Sequence, residues 1–117
     1  MRKVIIAGGR DYVPTKGHTR EIAKILKALR VPWDQIEIVS GGARGADAFG
    51  EKLAKNVGMQ LKVFPANWEK YGRGAGHIRN KEMAKYAEIL IALPGGRGTA
   101  NMIETALDEF LNVYILD

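Results

Sequence analysis

Three short stretches of this chain pair glycine with arginine. They are Gly8-Gly9-Arg10, Ser40-Gly41-Gly42-Ala43-Arg44-Gly45-Ala46-Asp47 and Pro94-Gly95-Gly96-Arg97-Gly98-Thr99. Glycine lets a backbone approach a phosphate closely, and the unpaired N–H groups at a helix start point at such an anion. Arginine adds a guanidinium that pairs with phosphate oxygens. A fourth arginine, Arg79, is read near the start of a helix. Arg44, Arg79 and Arg97 are all read as lying in first helical turns, where a cation opposes the helix dipole at a cost of roughly several tenths of a kcal/mol. A bound anion reverses the sign of that cost. The expected chemistry is therefore phosphate binding, not metal or thiol chemistry.

The neighbouring polar residues carry two readings each. Asp47 either complements the dipole of its helix or contacts a ribose hydroxyl. Ser40 and Thr99 either cap helices or donate to phosphate, and the two roles are compatible when a cap faces a ligand. Trp68 and Tyr71 lie in Asn67–Gly76, read as a mobile, irregular loop rich in glycine. They either stack on a nucleobase or pack the loop onto the body.

These residues need elements to position them. Apolar runs fall at Lys3–Ala7, Ile36–Val39, Leu61–Phe64, Ile89–Leu93 and Val113–Leu116. Each is short and continuous, as expected of strands covered on both faces. Helical periods lie between them: Ile22, Ile25, Leu26 and Leu29; then Ala46, Phe49, Leu53 and Val57. Met83, Tyr86 and Ala87 suggest a third, and Ile103, Ala106, Leu107 and Phe110 a fourth. Strand–helix alternation with short connections predicts a five-stranded parallel sheet with helices on both faces, in one domain over residues 1–117. The glycine turns then all open on the carboxyl edge of the sheet, where such folds bind ligands.

Composition narrows the function. The chain has 117 residues and no cysteine, which excludes disulfides and thiolate metal sites. Only two histidines are present, His18 and His77, too few and too isolated for a zinc site, so no metal and no cofactor is expected. A formal net charge of +5 favours anionic partners, although most of the lysine excess falls where solvated helix faces are expected. No apolar run approaches a membrane span and a strand begins at once, which predicts a cytoplasmic protein without a signal peptide.

Taken in order, the blocks resemble the SLOG superfamily, specifically its YspA-related branch. They are Ala7-Gly8-Gly9-Arg10-Asp11, Ser40 to Asp47, Phe64-Pro65-Ala66-Asn67-Trp68, Ile78-Arg79-Asn80-Lys81-Glu82-Met83 and Gly98-Thr99. The resemblance implies a Rossmann-like fold and a nucleotide or nucleotide-derived ligand. Within the superfamily, the lonely-guy or lysine decarboxylase-like phosphoribohydrolases share a similar arginine block and Pro-Gly-Gly turn. That likeness implies catalytic roles for Arg79 and for a carboxylate. The family's glutamate position is Met102 here, and the nearest acid is Glu104, with Asp11 and Asp47 as further candidates. Similarity of Ser40–Asp47 to the DprA family implies single-stranded nucleic-acid binding instead. Relatives that pair through helices imply a homodimer. The expectation is a binder acting as sensor or carrier, with a phosphoribohydrolase and a nucleic-acid binder as alternatives. Its expected ligand- and phosphate-binding residues are Gly8, Gly9, Arg10, Ser40, Gly41, Gly42, Arg44, Asp47, Gly95, Gly96, Arg97, Gly98 and Thr99.

Overall fold

A computed structural model describes every residue from Met1 to Asp117. The strands are β1 (Arg2–Ala7), β2 (Ile36–Ser40), β3 (Gln60–Val63), β4 (Ile89–Ala92) and β5 (Asn112–Ile115). The helices are α1 (Lys16–Lys27), α2 (Ala46–Val57), α3 (Trp68–Tyr71), α4 (Ala75–Tyr86) and α5 (Arg97–Asp108). All strand pairs are parallel, in the order β3-β2-β1-β4-β5. The chain thus winds outwards from β1 in one direction, then returns to lay β4 against its other side. The crevice opens where that reversal occurs, at the carboxyl ends of β1 and β4.

The pleat of β1 distributes the core. Val4 and Ile6 face α1 and α2, where they meet Ile22, Leu26, Ala46 and Ala54. Ile5 and Ala7 face α4 and α5, where they meet Met83, Ala84, Met102 and Ala106. A strand buried on both faces cannot alternate polar and apolar residues, which is why β1, β2 and β4 read as continuous apolar runs. Each fully buried Ile or Leu here contributes about 1.5–3 kcal/mol relative to exposure. No helix is long and apolar enough to cross a membrane.

Three expectations require correction. β3 and β5 are edge strands and are not covered on both faces; Val63, Tyr114 and Ile115 are exposed. Residues Asn67–Gly76 are mostly helical, not irregular. The Asn67 side chain caps α3 by accepting from the Lys70 amide, and a 3-10 turn over Gly72–Gly74 leads directly into α4. Arg79 consequently lies in the second turn of α4, not the first, and Arg44 likewise falls outside a first turn, preceding the Gly45 cap of α2. Finally, the buried residues of α5 are Thr99, Met102 and Ala106. The helix begins at Arg97 and stops at Asp108, so Leu107 is exposed and Phe110 lies beyond its end, with φ 62° and 94% exposure.

Candidate functional site

The first two glycine turns meet the third at Gly9. Its amide donates to the Pro94 carbonyl (2.9 Å), and its carbonyl accepts from the Ala46 amide (3.1 Å). One residue after β1 therefore ties together the loop after β4 and the first residue of α2. Sequence dictates this closeness, because side chains would not fit. A Cβ on Gly8 would lie 2.7 Å from Ala46 Cβ, and one on Gly9 would lie 3.1 Å from Gly95 Cα. Gly45, at φ 78°, would press a Cβ against the carbonyl of Arg10. Gly95 is wedged between Gly9 and Thr99 in the same way.

Gly96 and Gly98 differ from these. A Cβ at either would meet no protein atom within 4 Å, and neither has positive φ. Packing does not require glycine there. Both line the open cleft, together with the start of α5. The amides of Arg97, Gly98 and Thr99 donate to no protein acceptor, and no side chain caps the helix at Gly96. A helix start left in this condition offers N–H donors and the positive end of a dipole to whatever enters.

The cleft has a volume of about 410 Å³. Arg10, Arg73 and Arg79 bring positive charge to its wall, His77 adds an imidazole, and Asp47 is its one carboxylate. Arg10 and Arg73 make no hydrogen bond or ion pair with other side chains. Arg79 is held firmly: Nη1 donates to the Gly41 carbonyl (2.5 Å) and Nε to Asn80 Oδ1 (3.1 Å). Asn80 in turn donates to the Gly98 carbonyl (3.3 Å) and to Asn101 Oδ1 (2.9 Å), which fastens α4 to the first turn of α5. Burial lowers the Arg79 pKa below the usual arginine value, and the charge of Asp47 offsets part of that. Burial also raises the Asp47 pKa above the usual carboxylate value, against the hydrogen bond from the Ala43 amide (3.1 Å) and the pull of Arg79.

A second hollow of about 430 Å³ adjoins the cleft. Arg10, Ala43, Trp68 and Arg79 line both, while Gly41, Gly42 and Arg44 line the second alone. Arg44 pairs with Asp11 at 3.2 Å in a largely exposed contact.

The structure thus gathers Gly8, Gly9, Arg10, Asp47, Trp68, Arg79, Gly96, Gly98 and Thr99 around one cleft, with Gly41, Gly42 and Arg44 next door. The other expected residues lie elsewhere, including Gly95, which packs against Gly9 and Thr99 and lines neither hollow. Ser40 is fully buried, and its hydroxyl donates to Glu51 (2.7 Å) while accepting from the Gly42 amide, so it neither caps α2 nor reaches the cleft. Tyr71 lines a separate groove beside Lys70 and Glu82. Arg97 is exposed at the first residue of α5, outside both hollows. Glu104 is exposed on α5, whereas Met102, buried, lines the cleft. Residues not singled out from sequence also contribute, namely Arg73, His77 and Asn80. Arg73 stands between two glycines, the same signal that marked the other turns. No group of three or more His, Cys, Asp or Glu side chains comes together to hold a metal ion.

Comparison with known proteins agrees with this architecture. Gene 61 protein of Mycobacterium phage D29 is 35% identical over 115 residues, covering 91% of this chain and 89% of that protein. The X-ray structure of DNA processing protein A (DprA) from Streptococcus pneumoniae superposes with a TM-score of 0.74 at 20% identity. That match covers 99% of this chain but 50% of DprA, so the chain spans half the length of that neighbour and shares its fold. The model of the YAcAr family (YspA, cpYpsA-related SLOG family) matches residues 2–71, well over half the chain. The protein is a member of the YspA-related SLOG family.

Proposed function

We propose that this protein binds a nucleotide or nucleotide-derived ligand at the carboxyl edge of its sheet and acts as a sensor or carrier, without cleaving it. The carrying observation is the start of α5, where Gly96 and Gly98 face open space and three successive amides have no acceptor. A phosphoryl group seated there accepts from those amides and gains from the helix dipole. Arg10, Arg73 and Arg79 balance its remaining charge, and Trp68 offers a face to a base. Thr99, in the first turn of α5 at the cleft wall, is a further donor.

The carboxylate positions argue against N-glycosidic hydrolysis. Cleavage through an oxocarbenium-like transition state needs a carboxylate close to the anomeric carbon. Met102 occupies the cleft where the related hydrolases place their glutamate, and Glu104 is exposed to solvent. Asp47 is the acid left in the cleft, and its raised pKa makes it a poorer anion at that position.

Thermal unfolding of the protein with nucleoside mono-, di- and cyclic phosphates, paired with chromatography for free base, tests this reading. A ligand that binds the folded state alone raises the melting temperature with its concentration. Stabilisation without base release is expected. Released base overturns the binder reading in favour of a hydrolase. Stabilisation by oligonucleotides alone, with affinity falling steeply with salt, replaces it with strand binding, in keeping with a structural neighbour named for DNA processing.

A further inference from the structure

We infer that the ligand carries phosphoryl groups at two separate positions of a nucleotide, one seated at the start of α5 and the other in the hollow beyond Trp68. This rests on the nucleotide-binding reading and specifies the ligand class.

The two hollows are of similar size and share one wall, formed by Arg10, Ala43, Trp68 and Arg79. A single phosphate chain at the start of α5 occupies the first hollow and leaves the second unexplained. The second hollow is not a neutral annex. Three arginines line it, and no acidic side chain does. Arg10 has no partner, and the partner of Arg44 is Asp11, itself 92% exposed. An ion pair that open to water contributes little and is readily exchanged for an incoming phosphate. Arg79 has its Nη1 and Nε committed to the protein, whereas Nη2 makes no hydrogen bond at the junction of the hollows.

Trp68 borders both hollows and is half exposed, so its ring is available to a nucleoside placed across their shared wall. The order anion, aromatic, anion matches a nucleoside phosphorylated on both sides of its sugar. It does not match a linear polyphosphate, whose charges are concentrated at one end.

Two isomers with nearly equal charge separate these cases. Calorimetric titration with adenosine 3′,5′-bisphosphate and with adenosine 5′-diphosphate, alongside adenosine 5′-monophosphate, gives the comparison. The bisphosphate is expected to bind at least about ten-fold more tightly than the diphosphate, as two charge-assisted contacts in place of crowding at one site imply. Ala66→Glu places a carboxylate in the second hollow only. It is expected to reduce bisphosphate affinity to about that of the monophosphate, with a several-fold smaller loss for the monophosphate itself, because Arg10 and Arg79 border both hollows. Equal affinities for the isomers, or tighter binding of the diphosphate, overturn the inference while monophosphate binding keeps the nucleotide site. Failure of all three to bind, together with the cyclic phosphates, overturns both. Should Ala66→Glu fail to fold, the isomer comparison on the unaltered protein still decides. Competition by a short oligodeoxyadenylate distinguishes the sources of the bisphosphate unit: displacement below the bisphosphate's own concentration assigns it to a strand, and displacement only above it to a free nucleotide.

Discussion

α1 and α5 are twelve-residue helices that start at the same edge of one sheet, yet they begin in opposite ways. Thr15 caps α1, its hydroxyl accepting from the His18 amide at 3.0 Å, and the first turn is closed further by Thr19 bonding back to Thr15. α5 begins from Gly96 with no side-chain cap and three amides unanswered. α2 and α4 likewise follow glycines, Gly45 and Gly74, without a side-chain cap. A missing cap costs about 1 kcal/mol, which natural sequences rarely forgo without gain. α1, which only has to start, is closed by its own side chains; α5, on the crevice, leaves its first donors open. On the proposed reading, stability and binding are written into different residues of the same edge, and substitutions should pull them apart.

The largest effect is expected at Gly45→Ala. Its φ of 78° and the crowding against Gly9 and Arg10 carbonyls should lower stability by about 3 kcal/mol or more, read as a fall in the urea midpoint. Arg79→Ala should weaken nucleotide binding by about 2–3 kcal/mol, measured by titration. It also leaves the Gly41 carbonyl without its partner, so a smaller loss of stability accompanies it. Thr15→Ala should cost about 1 kcal/mol of stability and leave ligand affinity unchanged. Gly98→Ala should do the reverse, raising stability by about 0.5–1 kcal/mol while weakening the ligand, because alanine favours the helix but its Cβ enters the cleft. If Gly98→Ala binds as well as the parent, the difference drawn between the two helix starts has no functional meaning.

The smallest effect concerns pH. The folded-state pKa of Asp47 is raised, so its contribution to stability is full below the unfolded carboxylate value and is lost as pH rises through the folded value. At neutral pH the ionised carboxylate is a burden. Asp47→Asn should flatten the dependence of melting temperature on pH across that window and should tighten binding of an anion at neutral pH.

Much of this was legible in the sequence, for physical reasons that differ by residue. β1, β2 and β4 announced themselves because their fully buried stretches are almost wholly apolar, as strands covered on both faces must be. β3 and β5 gave weaker runs, and their edge positions follow from strand order, which local sequence does not encode. The glycine turns were readable because a close backbone approach leaves no alternative residue type. Ser40 was misread because its partner, Glu51, comes from the second turn of α2. Asn67–Gly76 was misread because glycine clusters suggest irregular chain, whereas the Asn67 cap and the run into α4 organise most of it. That same error placed Arg79 one turn too early and passed over Arg73 and His77, whose place at the cleft depends on how the segment crosses the sheet edge.

The position of Gly9 has a consequence for how the molecule is made. Its amide has no acceptor until Pro94 arrives, and β1 pairs on its second side only with β4. During synthesis from the N-terminus, β1, β2 and β3 and the first two glycine turns leave the ribosome well before that strand. Until then Val4, Ile5 and Ile6 present an open, wholly apolar edge, the kind of surface that recruits other chains. The binding crevice and the protection of that edge are completed in the same event. A truncation before Ile89 would leave a nascent chain with an exposed strand and half a crevice, so any shortage of the last quarter of the polypeptide should surface first as aggregation, not as weakened affinity.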